Sequence, residues 1–203
     1  MPHALPFRPL QYSHGSGDVS AFIAPPYDVL DAEGKAKLIA RDPRNIVAAD
    51  LPHVPAKQLG PPAAYAIAAS LMNTWIADGT LSRPDLPALF AYRQTFKWNG
   101  KTTDRCGMIC TLEVHPFGKR PGGGILPHEQ TFSGPKEDRL ALMKATATQL
   151  SPIFGLHADE AGKASGLVRR VMDDRKPDMH ARSEDGVLHE VWRIEDEPTI
   201  TEY

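Results

Sequence analysis

The sequence predicts an α+β fold: a mixed, largely antiparallel sheet with flanking helices around a central Asn-Gly hairpin. Three observations predict it. Asn99-Gly100 separates two strand-like stretches, 89–98 and 101–114. A two-residue Asn-Gly loop is the strongest short hairpin signal, because both residues tolerate positive φ. Ile67, Leu71, Met72, Trp75 and Ile76 recur at helical spacing behind Pro61-Pro62, and proline suits a first helical turn. The 16 glycines and 19 prolines in 203 residues imply many turns and short elements.

Taken in order, Phe7 to Gln11 and Val19 to Ala24 read as short extended pieces around the loop Ser13-His14-Gly15-Ser16-Gly17-Asp18. Ala24-Pro25-Pro26-Tyr27-Asp28-Val29 is stiff, because proline fixes φ and keeps its predecessor out of the helical region. Asp31 caps a short helix that buries Leu38 and Ile39 and ends at Asp42-Pro43. Asn45 to Asp50 reads as a buried strand. The helix after Pro61-Pro62 presents its apolar stripe to a core and stops at Gly79. In the hairpin, pairing Trp98 with Lys101 sets Cys106 opposite Arg93 and Met108 opposite Ala91. Cys106, Met108, Cys110, Leu112 and Val114 then share a core face, which makes the cysteines packing residues. Gly122-Gly123-Gly124 is loop. A helix follows over Lys136–Thr148 with Pro135 at its start, then a strand over 151–157. A helix over Glu160–Asp173 and two short strands around Glu184-Asp185-Gly186 complete the chain. The expected organisation is a single α+β domain over 1–203, with two lobes, about 1–85 and 86–203, as its other division.

Composition excludes several classes. Lys plus Arg is 23 and Asp plus Glu is 25, a net charge of −2, so no basic field favours nucleic acid. No apolar run approaches the roughly 20 residues of a membrane span, and the start lacks a signal-peptide pattern. Cys106 and Cys110 lie about 13 Å apart on a strand, too far for a disulfide, so a cytoplasmic location is expected. Walker, dinucleotide, nucleophile-elbow and zinc patterns are absent, and no metal site is read from the sequence.

Two segments carry chemistry. His128-Glu129-Gln130-Thr131 precedes Lys136-Glu137-Asp138-Arg139 at a helix start, where free N–H groups suit an anion. Lys136 and Arg139 project from one side of that turn, and Arg grips phosphate bidentately. Glu129 can take a proton from a substrate hydroxyl, with His128 against a phosphate or holding that base. The same residues also describe a capped helix with a solvated, charged first turn. In Pro25-Pro26-Tyr27-Asp28, a rigid frame aims a phenol and a carboxylate at a pocket, or forms a turn around a half-buried tyrosine.

Together these segments resemble a widespread prokaryotic domain-of-unknown-function family, number one-zero-one-five. Asp42-Pro43-Arg44-Asn45, Trp75-Ile76-Ala77-Asp78-Gly79 and Ser151-Pro152-Ile153-Phe154 match it in the same order, across nearly the whole chain. That family is distantly similar to the ParB/sulfiredoxin-like superfamily, which includes free-serine kinases and in which a Gly-x-His/Arg-Arg motif opens a helix and holds nucleotide phosphates. Family members are typically double this length, with a comparable Asp-Gly-His-His-Arg-Tyr motif after the region where this chain stops. The chain therefore resembles the N-terminal half of the family pattern.

The resulting expectation is a phosphotransferase acting on a small hydroxylated metabolite such as free serine, using Mg²⁺ with ATP, ADP or pyrophosphate. Glu129 is its base. His128, Lys136, Arg139 and Thr131 face phosphate, and Tyr27 with Asp28 orients substrate or Mg²⁺. The alternatives are a ParB-like nucleotide-binding regulatory module without turnover, and an inactive truncated remnant. A homo-oligomer or a partner chain that completes the site is expected if the missing motif is essential.

Overall fold

The computed structural model describes residues 2–13, 17–121 and 123–203. In chain order the elements are β1 (Ala4–Leu5), β2 (Gln11–Tyr12), a 3-10 turn (Tyr27–Val29), α1 (Ala32–Arg41), α2 (Val47–Asp50), α3 (Pro62–Ala77), β3 (Leu81–Ser82), β4 (Leu89–Trp98), β5 (Lys101–Ile109), β6 (Thr111–Leu112), α4 (Ser133–Thr146), α5 (Lys163–Asp174), β7 (Met179–Arg182), β8 (Leu188–Ile194) and α6 (Glu197–Glu202). The α+β class is as expected. The chain forms two units: Met1–Leu10, Arg83–Gln130 and His157–Tyr203 make the first, and Gln11–Ser82 and Thr131–Leu156 the second. One crossing lies near the expected lobe boundary at 85. The units nevertheless interleave in sequence, because β6 returns to pair with β1 and α4 returns to pack on α3.

The first unit is built on an antiparallel sheet of order β5-β4-β8-β7. The hairpin register matches the expectation residue for residue: Trp98 pairs with Lys101, Arg93 with Cys106 and Ala91 with Met108. Asn99 and Gly100 both have positive φ, 49° and 73°, as this turn requires. Leu89, Ala91, Trp192 and Ile194 form the buried sheet face, against Val168 and Met172 of α5. The expected second strand is too long. β5 ends at Ile109, and Thr111–Leu112 leaves the sheet to pair with Leu5 and Ala4. Met108 and Cys110 therefore pack on the core, whereas Cys106, Leu112 and Val114 are exposed. Both thiols are free, and burial pushes each above its ordinary pKa.

In the second unit, the Asp31 side chain accepts from Gly34 N at 2.8 Å and starts α1, which buries Leu38. The strand expected over 45–50 is helix instead. Asn45 is buried, and its Oδ1 accepts from Val47 N at 3.0 Å while its Nδ2 donates to Ala21 O and Ile23 O. An Asn that bonds its own downstream backbone starts a turn and competes with a ladder. The same bonds leave 19–24 a turn-bearing coil rather than the extended piece expected there. Asn45→Ala leaves two carbonyls and an N–H unpaired, so it is expected to cost about 1–3 kcal/mol. A shift in the urea midpoint at constant slope measures this.

In α3 the buried stripe is Tyr65, Ala68, Met72 and Trp75, while Ile67 and Ile76 face outward. Met72 and Trp75 are buried as expected and Leu71 partly so, but Ile67 and Ile76 leave the stripe, and Tyr65 and Ala68 take the place on the α4 side. Gly79 has φ 79° as the stop. No strand forms at 151–157, where Ile153 and Leu156 are exposed and, among the described residues, no other segment pairs with it. His14, Gly15 and Ser16 of the first expected loop, and Gly122 of the glycine run, lie outside the described residues. Among the described residues no helix is long and apolar enough to cross a membrane.

Candidate functional site

The second unit gathers a polar cluster around one residue. Asp138 sits on α4, four positions before the buried Leu142, and both face the α3 side of that helix. Its carboxylate is completely buried and accepts four bonds. Tyr65 Oη donates to Oδ1 at 2.6 Å, and His53 Nε2 meets the same oxygen at 2.7 Å. Arg139 donates to Oδ2 through Nε at 2.9 Å and Nη2 at 2.7 Å. The other edge of Arg139 reaches α2, where Nη1 donates to Asp50 O at 2.8 Å and Asp50 Oδ1 at 2.9 Å. The face of its guanidinium lies 3.9 Å from the centroid of the Tyr27 ring, a cation–π distance.

Two glycines make this approach possible. A Cβ on Gly60 would lie 2.2 Å from the His53 ring, and one on Gly134 would lie 2.6 Å from Lys57 O. Gly60 also donates its N–H to Tyr65 Oη at 2.7 Å, which orients the phenol toward Asp138.

The electrostatics follow from burial and pairing. Burial alone would raise the Asp138 pKa. The bonds from Tyr65, His53 and Arg139 outweigh it and hold the carboxyl below its ordinary range. Asp50 moves the other way, because burial outweighs the help it receives from Arg139. Burial raises Tyr27 and Tyr65, with the adjacent carboxylates adding to the effect. An ionised carboxylate only accepts, so His53 Nε2 carries a proton toward it, and in the neutral ring the lone pair is then on Nδ1. Among the described residues nothing bonds Nδ1, and the side chain is 12% exposed.

Tyr27 and Arg139, both expected in the site, are therefore in contact. The Asp28 carboxylate stands 3.8 Å from Lys57 Nζ. Lys136 and Thr131 are exposed. Arg139 does not share an open anion face with Lys136, because four of its five N–H groups already point at Asp138 and Asp50. His128 and Glu129 belong to the first unit. They stand 3.7 Å apart, with side chains 86% and 62% exposed.

The chain matches the family described as Protein of unknown function (DUF1015) over residues 4–203. It belongs to that family. The match covers both units, so the cluster lies within the family domain. Neither the curated proteins nor the solved structures yield a match.

Sequence reading missed Asp50, His53, Tyr65 and the role of Asp138. One signal was available. Asp138 occupies a core position of its helix, four residues from Leu142, and an acid there requires buried donors. Gly60 and Gly134 were the other clue, since each sits where another chain segment passes too close for a Cβ.

Proposed function

We propose that the second unit is the acceptor-binding half of a phosphotransferase acting on a small hydroxylated metabolite, with His53 as its general base. The observation that carries this reading is the His53–Asp138 pair. A buried, ionised carboxylate fixes the ring and its tautomer, so that in the neutral ring the lone pair is on Nδ1, in a side chain that is 12% exposed. In this reading Nδ1 takes the proton from the substrate hydroxyl as that oxygen forms its bond to the donor's terminal phosphorus. The bond to the departing phosphate or nucleotide oxygen breaks, and the donor leaves one phosphoryl group shorter. Positioning and charge neutralisation supply most of such a reaction. Tyr27 and Arg139 shape the wall beside the base, and Arg139 with Lys57 supplies the cations.

Among the described residues no group of three side chains could hold a metal ion. A Mg²⁺ ion carried on nucleotide phosphates needs only one or two protein carboxylates. Asp28, solvent-accessible beside Tyr27, fits that part. When bound, the ion would neutralise phosphate charge.

The test is phosphoryl transfer by the purified chain from ATP, ADP or pyrophosphate to serine and a polyol panel. His53→Ala is expected to lower the rate by 10²–10⁴. Glu129 is the competing base, and a comparable loss in Glu129→Gln with His53→Ala unaffected reverses the assignment. Wild-type chain that transfers nothing from any donor overturns the reading. A second reading, nucleotide binding without turnover, is favoured by the engagement of Arg139 with two carboxylates. Binding without product identifies it.

A further inference from the structure

We infer that Asp50 is an internal anion that occupies the phosphate position on Arg139, and that a phosphate-bearing ligand binds there by displacing it. This inference rests on the phosphotransferase or nucleotide-binding reading of the same site and adds its regulation.

The two carboxylates on Arg139 are held very differently. Asp138 is completely buried and accepts from Tyr65, His53 and two guanidinium nitrogens, so it cannot leave without stranding all of them. The Asp50 side chain is 16% exposed and accepts one bond, from Arg139 Nη1. It stands on the last residue of a four-residue helix, a length with little stability of its own. A carboxylate that burial destabilises and a single donor holds is the exchangeable partner.

Once the Asp50 side chain turns out, Nη1 keeps its bond to the Asp50 backbone O, and its other N–H, with the fifth N–H on Nη2, is free to donate to phosphate oxygens. Asp138 keeps the guanidinium in place, and the Tyr27 ring keeps it flat. A doubly charged phosphate is a stronger acceptor than a monoanionic carboxylate for a fixed guanidinium. The nearby Lys57 is paired as loosely, 3.8 Å from Asp28, with both side chains exposed. The structure therefore holds the anion site closed by its own acid, and phosphate affinity is set by competition with Asp50.

The charged and titratable groups against this contact are Asp138 beside Arg139 and the Tyr27 ring, with His53 and Tyr65 bonded to Asp138 behind it. Asp50→Asn leaves each of these groups in place, so the comparison isolates the Asp50 charge.

The experiment is calorimetric titration of pyrophosphate and of sulfate into the full chain, comparing wild type, Asp50→Asn and Asp50→Asn/Arg139→Gln, each checked for a cooperative melt. Asp50→Asn is expected to bind pyrophosphate at least tenfold more tightly than wild type at pH 7.5, and the double variant to lose that gain. Sulfate, a dianion at pH 7.5, is expected to show the same order of affinities. If Asp50→Asn does not fold, wild type against Asp50→Ser gives the same comparison. Equal pyrophosphate affinities in wild type and variant overturn the inference and leave the phosphate reading standing. Failure of both anions to bind any folded form overturns the phosphate reading, and the inference with it.

Discussion

Asp138→Ala is expected to destabilise the second unit by about 3 kcal/mol, the lower end of the roughly 3–5 kcal/mol seen when one partner of a buried ion pair is removed. The lower end applies because Arg139 is 18% exposed and can draw water. The loss has three parts. Tyr65 Oη and His53 Nε2 lose their acceptor in a buried setting, and Arg139 keeps only Asp50. Asp138→Asn keeps the volume but sets an NH₂ against one group of donors, so it falls between wild type and Ala. Native-state hydrogen exchange of the α3 and α4 amides measures the effect within this unit. A change below about 1 kcal/mol there would show that the network is not what holds α4 on α3.

The same residue gives the unit its acid limit. Asp138 has a folded-state pKa below its ordinary value. Its ionisation therefore contributes stability above the ordinary carboxylate range, and that contribution is lost as pH falls through the depressed value. Asp50 has the opposite sign. Its raised folded-state pKa favours the fold at low pH, and that benefit is lost as pH rises through the raised value. Wild type should then lose stability steeply below the ordinary Asp range, and Asp138→Asn should show a flatter acid limb. Parallel acid limbs in the two proteins would contradict this account.

The legible parts of the fold were those fixed by neighbours in sequence. The hairpin register follows from Asn99-Gly100 alone, α1 from the Asp31 cap, and the end of α3 from Gly79. The errors arose where partners are distant. Asn45 to Asp50 read as a buried strand, but the Asn45 amide bonds to Ala21 and Ile23 pull the segment into a turn. Residues 151–157 have strand composition, but a strand exists only with a neighbour to pair with. The candidate site divides in the same way. Tyr27 and Arg139 could be named because a proline frame and a helix start single them out. His53, Tyr65 and Asp50 could not, because they meet α4 across 85, 73 and 89 positions. No periodicity or cap links such partners.

In the first unit the largest single effect is expected from Trp192→Ala, at about 3–5 kcal/mol. The side chain is 1% exposed and lies at the centre of the face that β4 and β8 present to α5. Truncation opens a cavity bounded by Leu89, Ala91, Val168 and Met172. The sheet, hydrogen-bonded along β4 and β8 over seven pairs, cannot collapse to fill it. Two further contacts go with the ring. Trp192 Nε1 donates to Arg175 O at 2.8 Å, which holds the chain just after α5, and the Arg93 guanidinium lies 5.0 Å over the ring. Trp192→Phe separates these parts, because it restores most of the apolar volume but not the donor. It should cost about 1–2 kcal/mol. A two-state urea series on wild type, Phe and Ala, followed by exchange protection of the β8 amides, reads the order directly. Each kcal/mol corresponds to roughly 2–4 °C in melting temperature for a chain of this size. Equal losses for Phe and Ala would assign the effect to the Arg175 bond rather than to the cavity. In that case the connection after α5, and not the packed sheet face, would set the stability of the first unit.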